Sequence, residues 1–227
     1  MLYNVLWIGT VKRLMDKIYL SERANPMMVE YLKTLGYEIS LVAATTRTYF
    51  PVNSHPDIYM CAMSRHEIFH GDPALIGFNY PHNIRYNAVC MGEHFIHNLK
   101  YTDEKLLSLA RSLGKIPVNV RQGYTKCNMA VIDENSAVTS DQGVLKSLAN
   151  TGIDLLAVSP GHVLLTGRHC GFLGGASGKV GDEMIFHGNL SAHPDFIRIA
   201  DFVKSRGCGL KYFEQFELED IGSIIEA

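Results

Sequence analysis

Residues 67–71 read Glu67-Ile68-Phe69-His70-Gly71, and residues 183–188 repeat them as Glu183-Met184-Ile185-Phe186-His187-Gly188. Weaker copies of the same apolar pattern lie at Lys17–Ser21, His94–Asn98 and Ser136–Ser140. Aligned on the His position, the copies have anchor residues at 20, 70, 97, 139 and 187, so the repeat length is about 40 residues. A repeat of this length indicates five copies of one supersecondary unit.

The sequence around each anchor predicts the composition of the unit. Strand-like runs precede the anchors, at Asn4–Ile8, Ile58–Met63, Tyr86–Met91, Cys127–Ile132 and Gly178–Gly181. Helical patterns follow four of them, at Pro26–Leu35, 102–113, Gln142–Asn150 and Asp195–Arg206. Each helix leads into another strand, at Glu38–Ala43, Ile116–Val120, Ile153–Ser159 and Gly209–Phe213. The predicted unit is therefore strand, strand, helix, strand, and the second unit, residues 57–80, lacks the helix.

The repeat predicts an α/β fold in which five units surround one axis. A single unit cannot bury its apolar face alone, whereas a ring of units shares one core. The C-terminal run Ile221–Ile225 is expected to form a strand that pairs back onto the first unit and closes the ring. Residues 1–227 would then form one domain. A doubly wound open sheet is the alternative arrangement.

Composition excludes several classes of function. The chain has 227 residues, 47% of them hydrophobic and 19% charged, which is enough for a substantial core. Twenty-one basic residues against 23 acidic ones give a net charge of −2, so we expect neither nucleic-acid nor membrane binding. Lys12 and Arg13 follow the apolar stretch Val5–Ile8, the reverse of the order in a signal peptide. Five scattered cysteines without a Cys-x-x-Cys pair indicate free thiols in the cytoplasm.

The segment His66-Glu67-Ile68-Phe69-His70 matches the zinc-protease motif His-Glu-x-x-His, which requires both histidines on one helix face. The repeat predicts a strand here instead. On a strand the two histidines lie about 13 Å apart, at roughly 3.3 Å per residue, too far to share one ion. The equivalent anchors His70, His97 and His187 could converge on a metal, but polar residues that end strands explain them more simply. No metal or cofactor is predicted.

Three other segments carry candidate site residues. The glycine-rich run Gly171–Lys179 fails the phosphate-loop spacing, and it indicates either a backbone anion nest or close packing between units. Cys127, next to Lys126, is a candidate thiolate or a small buried residue. His162 follows the predicted strand Ile153–Ser159, and it is a candidate general base or a turn residue.

Residues 118–227 resemble an uncharacterised bacterial family, common in clostridia, that is similar to the pentein fold of guanidino-group-modifying enzymes. The resemblance depends on Gly-Tyr-Thr-Lys-Cys-Asn at 123–128, Ser-Pro-Gly-His at 159–162, Gly-Phe-Leu-Gly-Gly-Ala-Ser-Gly at 171–178 and Asp-Ile-Gly-Ser-Ile at 220–224. It implies a five-bladed β/α propeller, as the repeat does independently. It also implies a Cys nucleophile near the C-terminus, a His base and carboxylates that hold a guanidinium.

The sequence departs from that pattern at two positions. Ser223 stands where the nucleophilic Cys is expected, and Gly174-Gly175-Ala176 lacks the Asp of the Gly-Gly-Asp motif. In the enzymes that the chain resembles, the base opens a His-Leu-x-Thr stretch. The similar stretch here begins at His162 and is one residue longer. We therefore predict a hydrolase of a guanidino or amide-like C–N bond that uses Cys127 and His162, or else a non-enzymatic propeller that binds a small ligand or a macromolecule. A small polar molecule would bind in an axial pocket whose predicted lining is Asn87, Lys126, Asn128, Gly174, Gly175, Ser177 and Ser223. The sequence leaves the oligomeric state open.

Overall fold

The structure, a computed structural model, describes residues 16–65 and 67–227. The predicted strand Asn4–Ile8 and the motif residue His66 lie outside the described residues. Within them, no helix is long and apolar enough to cross a membrane.

The described strands form five separate small sheets, and helices connect strands within four of them. The strands are β1 (Lys17–Ser21), β2 (Glu38–Val42), β3 (Met60–Ser64), β4 (Glu67–His70), β5 (Val89–Met91), β6 (His94–His97), β7 (Ile116–Asn119), β8 (Ala130–Val131), β9 (Ser136–Thr139), β10 (Asp154–Ala157), β11 (Ser177–Val180), β12 (Glu183–Phe186), β13 (Gly209–Lys211) and β14 (Ile225–Glu226). The helices are α1 (Pro26–Thr34), α2 (Pro56–Tyr59), α3 (Glu104–Ser112), α4 (Thr125–Asn128), α5 (Gln142–Leu148) and α6 (Phe196–Ser205).

Three sheets have the predicted unit of strand, strand, helix, strand. In the β5–β6–β7, β8–β9–β10 and β11–β12–β13 sheets, the first two strands are antiparallel, and the third returns after a helix to pair in parallel with the middle strand. The β3–β4 sheet has two strands and no long helix, as the short repeat there predicts. All five anchor residues lie at or next to the C-terminal end of β1, β4, β6, β9 or β12. The repeat is thus a structural one.

The first sheet takes its third strand from the C-terminus. β1 pairs in parallel with β2 and antiparallel with β14, with Tyr19 opposite Ile225. Reciprocal backbone hydrogen bonds of 2.9 and 2.8 Å between Lys17 and Ala227 extend the pairing. The predicted return of the C-terminus onto the first unit is confirmed, although the strand begins at Ile225 instead of Ile221.

Local sequence explains where the helices begin and end. The side chains of Asn25, Asp103 and Asp141 accept hydrogen bonds from the first-turn backbone N–H groups of α1, α3 and α5. Gly114 follows α3 with φ +75°, a conformation that glycine adopts without steric cost.

Apolar helix faces cover the sheets and form the core. Leu106 and Ala110 of α3 are buried in one cluster with Phe95 of β6. Ile199 and Val203 of α6 are buried in another cluster with the side chains of β12.

The predicted starts of three first strands are wrong. Residues 58–59 belong to the turn α2, β5 begins at Val89 instead of Tyr86, and Cys127 lies on the helical turn α4. Asn87 Oδ1 accepts hydrogen bonds from the backbone N–H groups of Lys126 (2.8 Å) and Cys127 (3.3 Å), so these donors are not available to a strand. Pro56 favours the first turn of a helix, which explains α2.

Candidate active site

A buried polar cluster lies where the chain enters the first strands of the sheets. Asp57 precedes β3, Asn87 precedes β5, Cys127 precedes β8, Gly174 precedes β11 and Ser223 precedes β14, each by two or three residues. Because these positions are equivalent in the repeat, they meet although they are far apart in sequence.

Asp57 is the centre of the cluster and is fully buried. Its Oδ2 accepts hydrogen bonds from the Cys127 thiol at 2.9 Å and from the Ser223 hydroxyl at 2.8 Å. Its Oδ1 has no hydrogen-bond partner in the described part of the chain. A buried oxygen without a donor is costly, and it marks a place where a ligand N–H would be favourable.

Two further polar side chains complete the surroundings of the thiol. Asn87 donates from Nδ2 to Cys127 Sγ at 3.3 Å. Lys126 Nζ donates to Ser223 Oγ at 3.2 Å, so the ammonium is connected to Asp57 through a hydroxyl. The structure thus brings together Asn87, Lys126, Cys127 and Ser223, four of the residues predicted from the sequence.

The glycine-rich segment packs directly against the cluster. Gly175 donates its N–H to the Cys127 carbonyl at 2.6 Å, and its own carbonyl accepts from the Ser223 N–H at 2.8 Å. A Cβ on Gly175 would lie 2.0 Å from Asp220 Oδ1, and one on Gly174 would lie 2.5 Å from the Lys126 carbonyl oxygen. Of the two sequence-based interpretations of this segment, the structure supports close packing between units.

Ser223 has a left-handed backbone conformation, with φ +72°. Among the described residues it is the only one other than glycine with positive φ, and such a conformation costs roughly 1–3 kcal/mol. The preceding residue cannot carry a side chain, because a Cβ on Gly222 would lie 2.1 Å from His55. The surrounding packing holds Ser223 in this conformation with its hydroxyl directed at Asp57.

Burial controls the protonation of the cluster. It raises the pKa of Asp57, and it acts with the neighbouring Asp57 charge to raise the pKa of Asp220 to about 7. Burial and the two carboxylates raise the pKa of Cys127 well above its usual value. Burial lowers the pKa of Lys126, and the Asp57 charge opposes that effect. The thiol is therefore protonated and donates to Asp57, and a positive charge bound beside the sulfur would favour the thiolate.

Two pockets reach the cluster, and two residues adjacent in sequence, Cys127 and Lys126, each line one of them. A pocket of about 200 Å³ reaches Cys127, and its other walls are Tyr49, Val52, His55, Tyr124, Leu165, Arg168, Cys170, Phe172 and Asp220. We call it the thiol pocket. A second pocket, of about 410 Å³, reaches Lys126, and we call it the lysine pocket.

His55 and Arg23 lie beside the carboxylates. Arg23 Nη2 donates to His55 Nε2 at 3.3 Å and to the Pro51 carbonyl at 2.8 Å, which assigns His55 Nε2 as an acceptor. Its Nδ1 lies 3.7 Å from Asp220 Oδ1, and burial and Arg23 lower the pKa of His55 to about 3. His55 is therefore neutral.

Three of these side chains could in principle hold a metal ion. One ligand atom each from His55, Asp57 and Cys127 lies within 4.8 Å of the others. Arg23 occupies His55 Nε2, and the Lys126 ammonium is hydrogen-bonded to Ser223 beside Asp57. Because Arg23 donates to His55 Nε2, that nitrogen is not available to bind an ion. The arrangement favours a proton-transfer site over a metal site.

The structure places the remaining predicted site residues outside the centre of the cluster. Asn128 accepts a hydrogen bond from Thr139, and Ser177 donates to the Gly174 carbonyl at 3.4 Å. His162 is exposed, its ring lies 5.2 Å from that of His193, and it is not among the described residues that line the thiol pocket.

The three anchor histidines have separate partners. His97 bonds to Thr102 at 2.8 Å and to the Gly123 carbonyl at 3.2 Å. His187 bonds to the Asn25 N–H at 2.9 Å and to the Glu219 carbonyl at 3.1 Å, whereas His70 is exposed against Tyr19. Glu67 and His70 lie on strand β4, so the described part of the His-Glu-x-x-His match is not helical. Each of these histidines lies at or next to the end of a strand, in agreement with the simpler of the two interpretations.

Sequence reasoning missed Asp57, Asp220 and His55. Asp57 was placed just outside the predicted strand Ile58–Met63, yet it occupies the position in its unit that Asn87 and Cys127 occupy in theirs. Closer alignment of the repeats would have found it. Asp220 lies within the quoted segment Asp-Ile-Gly-Ser-Ile, and nothing in the sequence marked His55.

Comparison with known proteins gives a family and a fold. Residues 72–225 match a family described as "Family of unknown function (DUF6873)". No curated protein sequence matches the chain. A DDAH from Pseudomonas aeruginosa, a cysteine-to-serine mutant complexed with citrulline, has a similar structure, with TM-score 0.54 and 11% identity over 94% of this chain and 99% of that one.

A second structure is similar to the same degree. It is a dimethylarginine dimethylaminohydrolase adduct with 4-chloro-2-hydroxymethylpyridine, with TM-score 0.54 and 10% identity over 88% of this chain and 93% of that one. The chain therefore has a mixed α/β fold that resembles the pentein fold of these enzymes.

Proposed function

We propose that this chain, which belongs to the DUF6873 family of unknown function, is a hydrolase that cleaves a C–N bond of a planar amidino or guanidino group. The Cys127 thiol is the nucleophile, and Asp57 is its proton acceptor. The observation that carries the proposal is the 2.9 Å hydrogen bond between Cys127 Sγ and Asp57 Oδ2 at the end of the thiol pocket. The resemblance to dimethylarginine dimethylaminohydrolase structures supports it.

The proposal includes a closed ring of five units, which makes residues 1–227 one domain. Two observations support the ring. The lysine pocket is lined by residues of β3, β5, β8, β11 and β14, one strand from each described sheet. The β1–β14 pairing joins the last described strand to the first. An open sheet would not place one strand from every sheet around the same cavity.

Carboxylates for a cationic group are present despite the missing Asp of the Gly-Gly-Asp motif. Among the residues that the structure describes, none donates to Asp57 Oδ1, and Asp220 lines the thiol pocket. These groups suit a planar cation.

The reaction follows from the charges of the site. A bound amidinium or guanidinium next to Cys127 favours the thiolate, and the thiol proton moves to Asp57. Sulfur attacks the planar carbon, the C–N bond breaks, and the departing amine takes that proton. Water then adds to the carbon of the covalent intermediate, and the thiol is released together with an amide or ureido product. No oxidant or cofactor is consumed.

An assay of turnover with a panel of amidines, guanidines and simple amides tests this function, and the measured signal is the ammonia or amine released. We expect Cys127→Ala and Asp57→Asn to lose at least about 100-fold in kcat/KM, because each removes a group that acts on the reacting atoms. Cys208→Ser is the matched control. Cys208 is also buried, but its thiol bonds to the Asp182 carbonyl, and neither residue lines the thiol pocket. The control variant should stay within about twofold of wild type. Wild-type rates in Cys127→Ala would exclude the proposal.

The role of His162 as a general base stays a prediction. His162→Ala in the same assay tests it, and a drop in kcat/KM comparable to that of Asp57→Asn would support it. Because the ring is exposed and packs against His193, we expect a smaller effect than for Asp57.

A second function, non-enzymatic binding of a small polar ligand, is favoured by two observations. Lys126 and Arg23 stand beside the two buried carboxylates, and Cys127 is only 2% exposed. Calorimetry with the same panel separates the two functions. Saturable binding without product release, unaffected by Cys127→Ala, would support binding alone.

A further inference from the structure

The lysine pocket has features of a binding site that the chemistry at Cys127 does not use. Lys126 is partly exposed, and it is among the residues that line this cavity of about 410 Å³. Its neighbour Cys127 lines the thiol pocket instead. The turn α4 therefore presents two successive side chains to two different cavities.

The Lys126 ammonium has unused hydrogen-bonding capacity. An ammonium group carries three N–H donors. In the described part of the chain, Ser223 Oγ is the one acceptor within hydrogen-bond distance. The remaining donors are available to an oxygen ligand in the cavity, and a carboxylate gives the strongest such hydrogen bonds.

The charges further out in the pocket restrict the ligand. Arg65 is paired with Glu226 at 3.0 Å, and Lys115 donates to the Gly92 carbonyl at 2.5 Å. Other charged lining residues are Lys179 and the acidic Asp133, Glu134 and Asp182. Lys115 keeps its charge, so three acidic groups against the two bases Lys115 and Lys179 give this outer part a net charge of −1. That charge opposes an anion with several charges, while Lys126 attracts a single one.

The walls suit an apolar body. They include methionine, alanine, valine and isoleucine side chains, among them Met63 of β3, Val89 of β5 and Ile225 of β14. We propose that the lysine pocket binds a small monocarboxylate whose carboxylate contacts Lys126 and whose apolar part lies along these strands. The inference is independent of the proposed hydrolase activity.

Calorimetric titration with 4-methylpentanoate and with its neutral amide, 4-methylpentanamide, tests the inference. We expect saturable binding of the carboxylate that is at least tenfold tighter than binding of the amide. Lys126→Met should weaken it at least tenfold, and the control Lys146→Met, on α5, should leave it within twofold. Phosphate and citrate should not compete.

Equal affinity for acid and amide, or no saturable binding of the acid, would overturn the inference. Wild-type protein gives a second readout that does not depend on whether Lys126→Met folds. Reductive methylation followed by peptide mapping should show protection of Lys126 by 4-methylpentanoate, and unprotected labelling would contradict the site. Protein alkylated at Cys127 should still bind the carboxylate, which keeps this result separate from the fate of the proposed activity.

Discussion

At the scale of single residues, Asp57 determines the chemistry of the cluster. It is fully buried, it accepts hydrogen bonds from the Cys127 thiol and the Ser223 hydroxyl, and it keeps one oxygen without a partner among the described residues. Such a carboxylate is stable only with donors around it. Sequence reasoning named most residues of the cluster but missed its central member, which lies at the same position of its unit as Cys127 does.

Close approach at Gly175 gives a prediction about packing. Its Cβ would lie 2.0 Å from Asp220 Oδ1, within a fully buried region. We expect Gly175→Ala to lower the free energy of unfolding by about 3 kcal/mol, the upper end for overpacked cores. Gly209→Ala is the control, because its nearest contact is the flexible Glu183 side chain at 3.1 Å. Urea denaturation that finds equal effects would contradict the packing described here.

His97 gives a prediction about pH. Burial lowers its pKa from 6.5 to about 4. The unfolded chain therefore takes up the proton first, and the stability due to neutral His97, present above pH 6.5, is lost as pH falls toward 4. Between pH 7 and pH 5, wild type should lose about 2 kcal/mol more unfolding free energy than His97→Gln. Urea denaturation at both pH values measures this difference, and an equal loss in both proteins would refute the assignment.

At the scale of elements, middle strands and helices follow from sequence, whereas the entries to first strands do not. The anchors mark β1, β4, β6, β9 and β12 because apolar alternation and a polar strand end are local signals. The start of β8 depends on Asn87, 40 residues away, which takes the N–H groups of Lys126 and Cys127. A long-range hydrogen bond of this kind leaves no local pattern. The sequence therefore predicted which units contribute residues to the site, but not how those residues are arranged in space.

The N-terminus of α3 gives a prediction about an element. Asp103 Oδ1 accepts from the N–H groups of Lys105 and Leu106, and Oδ2 accepts from Arg85 at 2.9 Å. Asp103→Ala should cost about 1–2 kcal/mol through loss of the cap. Asp103→Asn keeps a capping oxygen and should cost less than half as much. Thermal and urea unfolding of both variants checks this, and equal costs would show that the ion pair, not the cap, matters.

At the scale of the whole molecule, the C-terminal strand connects the ends of the described chain. Ile224 and Ile225 are 3% exposed, and Ile225 pairs with Tyr19 of β1. Deleting residues 224–227 removes two buried side chains, each worth about 2–5 kcal/mol, and a strand partner. We expect the loss to lower the stability of all five sheets together. Hydrogen exchange that shows destabilisation confined to β1 and β2 would contradict a shared closed core.

The same scale shows how the fold assembles its chemistry. Each of the five sheets contributes a residue that lies two or three positions before one of its strands, so the cluster exists only when all five sheets are in place. The repeat predicted this convergence, and the similarity to dimethylarginine dimethylaminohydrolase structures supports the pentein-like arrangement. The repeat could not predict that the cluster would separate two pockets, because that depends on which side chain of each turn faces which cavity.

Alkylation by a matched pair of reagents tests the central claim most directly. The pair is 2-chloroacetamidine, which is cationic, and 2-chloroacetamide, which is neutral; both lose chloride to a thiolate. If Asp57 and Cys127 form a site for a planar cation, the amidine should modify Cys127 at least tenfold faster than the amide, and Asp57→Asn should abolish the preference. Peptide mass mapping identifies the modified residue. Equal rates at Cys127 for both reagents, or labelling of only the half-buried Cys90 and Cys170, would contradict the account.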